Sequence, residues 1–140
     1  MQLQFGNFGS IEMQMLWLSA ALGIVQLVLV IVASGMAGRT GWAIGARDIP
    51  APPFGTVGAR LQRALANFVE TFPIFVAAVL VVTTLGKHTQ YSQWGAQLYF
   101  WARVAYVPAY AIGIPLLRTL IWTAGTVGIA LILLAVYPGM

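Results

Sequence analysis

Residues Ile11 to Ser34 read IEMQMLWLSAALGIVQLVLVIVAS, with Glu12 the single charged side chain. As a helix at 1.5 Å per residue this run would extend about 36 Å, enough to cross a hydrocarbon core of about 30 Å. It does not read as a signal peptide. No basic n-region precedes it, and the apolar run from Met15 to Ala33 exceeds the roughly 7–15 residues of an h-region. Three more runs have spanning length, at about 58–84, 91–114 and 117–137. The expectation is an all-α, integral membrane four-helix bundle forming a single domain over residues 1–140.

Composition points the same way. Of the 140 residues, 60% are hydrophobic and 7% charged, against about 25% charged in soluble domains. Mean hydropathy is +0.86. The net charge is +4, but the basic residues are scattered singly, which disfavours a nucleic-acid surface. With no cysteine, disulfides, thiolate metal sites and a cysteine nucleophile are excluded, and the lone His88 cannot build a metal cluster.

Breakers set the connections. GRTGWAIGARDIPAPPFGTVG, from Gly38 to Gly58, is rich in glycine and proline and reads as an irregular loop with a short interfacial stretch. GKHTQ after Leu85 is a polar turn, and Gly113 with Pro115 marks a tight one. Pro108 falls within the third helix, where membrane helices tolerate it. Four spans place Arg39, Arg47, Arg60, Arg63 and Arg118 on one side, and Lys87 and both termini on the other. The positive-inside rule then makes the arginine side cytoplasmic and places both termini outside.

The second helix contains RLQRALANFVETFP, Arg60 to Pro73. At about 100° per residue, Arg60, Arg63, Asn67 and Glu70 share a stripe less than about 90° wide. Phe68, Val69, Phe72, Ile74 and Phe75 cover much of the remainder. In the third helix Arg103, Tyr106 and Tyr110 recur at i, i+3 and i+7, again one stripe, and Arg118 opens the fourth. A charge at membrane depth costs at least about 2.5–3.5 kcal/mol on insertion scales, so such groups persist where paired or functional. Glu70 reads as the only acid deep in the spans, with Arg103 as its partner. The surplus arginines then suit an anionic, carboxylate-bearing ligand. A purely structural role, as lipid-phosphate snorkels or interhelical glue, uses the same residues.

These residues resemble the signature of the MAPEG family, membrane-associated proteins in eicosanoid and glutathione metabolism. The carriers are Arg60, Arg63-Ala64, Asn67, Glu70 and Pro73, then ARVAYVPAYAIGIPLLRTL with Arg103, Tyr106, Tyr110 and Arg118. The short bacterial branch is the nearest likeness. The resemblance implies a homotrimer of four-helix bundles with glutathione as co-substrate, bound in a cleft between subunits on the cytoplasmic side. Arg60, Arg63, Asn67, Glu70, Arg103, Tyr106 and Tyr110 would hold the tripeptide. Arg118 would be catalytic, stabilising the thiolate, and Arg47, or else Arg39, would reach a neighbour's site. Lipids and hydrophobic small molecules would be the other ligands. The implied activity is glutathione transferase or peroxidase. The alternative is a non-catalytic lipid-binding or accessory subunit of a larger membrane complex. Two departures stand out: Thr71 occupies the place of a tyrosine in the leukotriene-forming members, and the Tyr110–Arg118 spacing varies among branches.

Overall fold

The computed structural model describes residues 9–138, and within them the chain is helical with no strand. Helix α1 spans Ile11–Met36, α2 Thr40–Ile44, α3 Thr56–Leu85, α4 Gln90–Ile112 and α5 Pro115–Leu134. Three of these five, α1, α3 and α5, are long and apolar enough to cross a membrane. The 23-residue α4 is long as well, but Gln90, Gln93, Gln97 and Arg103 make it more polar. Relative to the sequence expectation, α1 runs two residues further and α5 both starts and stops earlier.

Local chemistry sets the ends. Ser10 accepts from the Met13 amide and starts α1. Thr89 and Ser92 form a reciprocal capping box that starts α4, satisfying two otherwise unpaired amides. Gly113 stops α4 in the left-handed region, at φ 86°. Pro115 then opens α5 at a position where its missing N–H costs nothing. The loop after α1 carries the short helix α2, one turn and a half of otherwise irregular chain.

Helix α1 is inverted relative to a helix in water. Its buried residues are Glu12, Gln14, Met15, Ser19 and Gln26, while Ile24, Val25, Val28, Ile31 and Val32 are exposed. Outward aliphatic side chains cost nothing in lipid, where the pressure is to satisfy polar groups internally. This pattern fits an integral membrane protein.

The bundle divides into two halves. Towards the start of α1 lies an apolar core of Met15, Phe75, Val79, Val82, Ala96, Tyr99, Phe100, Ile129 and Ile132, with Phe75 and Tyr99 stacked at 4.0 Å between centroids. In this half α4 and α5 meet through Gly95 and Gly128. A Cβ on Gly128 would lie 2.6 Å from the Gly95 carbonyl oxygen, so the two backbones touch. Towards the end of α1 the interior becomes polar, with Arg103 buried there.

Of the apolar residues beside the α3 polar stripe, Phe68 and Phe75 are buried. The Phe68 ring fills the space that a side chain on Gly23 of α1 would need. Val69 and Ile74 face outward instead. In an almost wholly apolar segment, hydrophobicity does not say which face is the core; the glycine opposite does.

Candidate functional site

The site lies in the polar half, where α3, α4 and α5 converge. Arg103 is its centre. It is 2% exposed and comes from the middle of α4, between the rings of Tyr99 (5.3 Å) and Tyr106 (5.4 Å) on its own helix. Its Nη1 donates to Asn67 Oδ1 at 2.8 Å. The expected Glu70–Arg103 pair is therefore corrected: Asn67 is the partner, and the ion-pair contact found among the described residues is His88–Glu12. Glu70 is exposed on the outer flank of α3. Arg103 Nε and Nη2 are buried with no acceptor. They face Gly125 of α5, whose absent side chain leaves them room.

Around this centre the tyrosines carry the remaining cations. The Tyr106 and Tyr110 rings lie 5.4 Å apart. Arg118 sits 4.7 Å and Arg63 5.9 Å from the Tyr110 centroid, so one ring gathers guanidinium groups from α3 and α5. A cleft of about 140 Å³ opens between Asn67, Tyr106, Arg118, Thr119 and Trp122. Thr119 and Trp122 were not legible as site residues, because on the outward face of an apolar helix they look like an interfacial anchor and a spacer. Arg63 and Glu70 are exposed and are not among the residues that line the cleft, and Asn67 is half-buried.

Two of the anticipated residues stand elsewhere. Arg60 Nη1 donates to the carbonyls of Ala111 (3.0 Å) and Ile112 (3.1 Å), closing the C-terminus of α4. Its guanidinium fills the space beside Gly113. Arg47 is exposed and donates through Nε and Nη2 to the Ala43 carbonyl. It adopts φ 61° and does not join the Arg103 cluster. Thr71 points inward, its hydroxyl 3.3 Å from the Tyr99 hydroxyl. Among the described residues no group of three or more His, Asp or Glu side chains could hold a metal.

The geometry thus offers three guanidinium groups, Arg63, Arg103 and Arg118, around Asn67 and two phenols, with no carboxylate among the described residues paired to any of them. The family model that matches this chain is that of the MAPEG family, over residues 15–137. The chain belongs to the MAPEG family. No curated protein matches it. Of the residues that carried the resemblance, Asn67, Arg103, Tyr106, Tyr110, Arg118 and Arg63 come together here, whereas Arg60 caps α4 and Glu70 is exposed.

A second buried cluster escaped the sequence reading. Glu12 is fully buried. It accepts from the Ser92 hydroxyl, and its other oxygen lies 3.3 Å from His88 Nδ1. In sequence Glu12 looked like an acid at a helix start. It instead ties α1 to the α3–α4 turn at the end remote from the arginines.

Proposed function

We propose that this MAPEG protein is a membrane glutathione transferase or peroxidase acting on hydrophobic electrophiles or lipid hydroperoxides. Family membership supports the coarse reading of membrane glutathione- or eicosanoid-related chemistry. The observation that carries the finer one is Arg103: a buried guanidinium with two unpartnered donors, bonded through its third nitrogen to Asn67, which lines the cleft together with Arg118. Buried donors without acceptors are costly, and a bound carboxylate supplies the missing acceptors in the geometry that guanidinium favours.

In this reading Arg63, Asn67, Glu70, Arg103, Tyr106 and Tyr110 hold the tripeptide, Glu70 through its ammonium group. Arg118 faces the sulfur. A free thiol has a pKa near 8.5, and a nearby guanidinium favours its anion. The thiol proton leaves to water. In conjugation the sulfur lone pair forms a bond to carbon as the leaving group departs with its electron pair. In peroxide reduction the thiolate attacks the hydroperoxide and the lipid alcohol leaves. A second glutathione then completes the disulfide, with water as the other product.

A cleft of 140 Å³ falls short of the roughly 300–1,000 Å³ of ordinary ligand sites. A tripeptide needs further walls, and a homotrimer of four-span bundles would provide them, with Arg47 of a neighbouring copy reaching in. The arginine-rich end is cytoplasmic and both termini periplasmic in this arrangement, as the distribution of arginines supports.

The test is thermal stability of the purified protein with and without millimolar glutathione, with Arg63→Ala alongside. At about 100 times its dissociation constant the ligand adds about 2.7 kcal/mol. A rise lost in the variant supports the site; no rise in either refutes it. Arg118→Ala should then lower turnover more than binding. Binding that persists with no thiolate absorbance in either form would favour the non-catalytic, accessory alternative.

A further inference from the structure

Between the end of α1 and the start of α3 lies a feature that the glutathione reading does not use. Arg39 is 7% exposed, and its Nε is buried without a partner. Asp48, the acid of the same loop, makes no ion pair with it. The guanidinium instead rests on aromatic rings, 4.0 Å from the Phe54 centroid and 5.4 Å from that of Trp42. Trp42 is itself held by donation from Nε1 to the Ile49 carbonyl at 2.7 Å.

Phe54 connects this cation to a helix end. Its ring occupies the space that a Gly58 side chain would take, with Cδ1 2.0 Å from the Cβ position. Gly58 lies in the first turn of the 30-residue α3, whose N-cap, Gly55, offers no side-chain acceptor. The amides of Thr56, Val57 and Gly58 therefore have no intrahelical partner, and they carry the positive end of the helix dipole. The Arg39 guanidinium and the first turn of α3 thus pack against one ring, and among the described residues no acidic side chain pairs with Arg39.

The same segment, with Phe54, walls a groove of about 520 Å³ whose other side is Ala33 and Met36 from the end of α1. Met36 is 86% exposed and Val57 56%. A soluble anion would gain nothing from such walls, whereas an acyl chain would. Both α1 and α3 are membrane-spanning in length and hydropathy, so their ends lie at the depth of lipid headgroups. We propose that this groove binds an anionic phospholipid, its phosphate on Arg39 and the α3 N-terminus and one acyl chain along Ala33, Met36 and Val57. The site is independent of the glutathione reading.

Native mass spectrometry of the full chain in neutral detergent tests it, with dioleoylphosphatidylglycerol and dioleoylglycerol, which lacks the phosphate, as probes. Wild type should retain the phospholipid at least roughly tenfold more tightly, the scale of one charge-assisted hydrogen bond. Arg39→Gln should abolish that preference, and Arg39→Lys should keep part of it. Equal retention of the two lipids by wild type, which needs no variant to fold, would overturn the proposal. So would full displacement of the lipid by millimolar phosphate, which would indicate a small-anion site. Displacement by glutathione would overturn it too, by assigning Arg39 to the tripeptide.

Discussion

Gly125 and Gly128 lie one turn apart on α5, both buried, and should respond oppositely to the same added methyl group. On Gly125 a Cβ would meet Ala102 Cβ at 3.6 Å and Arg103 Nε at 3.7 Å, ordinary contacts. On Gly128 it would meet the Gly95 carbonyl oxygen at 2.6 Å and the Tyr99 amide nitrogen at 2.8 Å. Both obstacles are backbone, which cannot rotate away. Reaching 3.4 Å requires α4 and α5 to separate by about 0.8 Å in a close-packed interior. Overpacking of this kind costs about 1–3 kcal/mol. Replacing glycine by alanine in a helix returns about 1 kcal/mol, but that gain is common to both positions. The difference between Gly125→Ala and Gly128→Ala therefore isolates the steric term.

At about 2–4 °C per kcal/mol for a chain near this size, Gly128→Ala should melt roughly 3–10 °C below Gly125→Ala in matched detergent. The same separation would move Arg103, on α4, away from Arg118 and Trp122, on α5, and widen the cleft. Glutathione-induced stabilisation should weaken in Gly128→Ala and persist in Gly125→Ala. Equal melting temperatures would refute the claim that the Gly95–Gly128 backbone contact sets the spacing of the site.

Gly125→Ser should raise stability by about 1–2 kcal/mol, because its hydroxyl can accept from the unpartnered Arg103 nitrogens; thermal unfolding reads this, and weaker glutathione binding should accompany it. Glu12→Ala removes the carboxylate that accepts from the Ser92 hydroxyl and lies against His88 and should cost about 1–3 kcal/mol, while Glu12→Gln, which keeps an acceptor for Ser92, should cost less; equal losses would count against the hydrogen bond. Arg60→Gln removes the closure of α4 and should cost about 1–2 kcal/mol in the same assay, with little effect on glutathione affinity, separating its structural role from a binding one.

Much of this was readable in the chain because lipid imposes simple demands. Long apolar runs gave the helices, and glycine and proline gave their ends, as at Gly113 and Pro115. The i, i+3, i+7 spacing brought Arg103, Tyr106 and Tyr110 to one stripe, and the structure sets that stripe against Asn67 and Arg118. Spacing could not say which residue of the α3 stripe meets Arg103. Asn67 and Glu70 differ by a modest rotation about α3, and that rotation is set by Phe68 seating on Gly23 of α1, a contact between residues far apart in sequence. The burial of Glu12 was hidden for the same reason: its partners, Ser92 and His88, lie in an element that only the fold brings near.

The division of the bundle explains how so oily a chain can keep a charged interior. Where Phe75, Tyr99 and Ile132 pack, the helices are held by shape and by the bare Gly95–Gly128 contact, and these need no ligand. That rigid half holds α3, α4 and α5 at fixed spacing further along, where Arg103 is forced inside with only one of its donors matched to Asn67. In water the remaining donors could be satisfied by local opening. In a bilayer that route is expensive, so the unsatisfied nitrogens persist as stored demand for an acceptor. A ligand carboxylate that meets this demand gains hydrogen bonds to a group already desolvated and fixed, with little ordering cost. Structural glue would instead be expected to consume its own donors, as Arg60 does at the end of α4. The contrast between Arg60, satisfied by backbone carbonyls, and Arg103, left with two nitrogens free, is what the proposed binding role of Arg103 rests on.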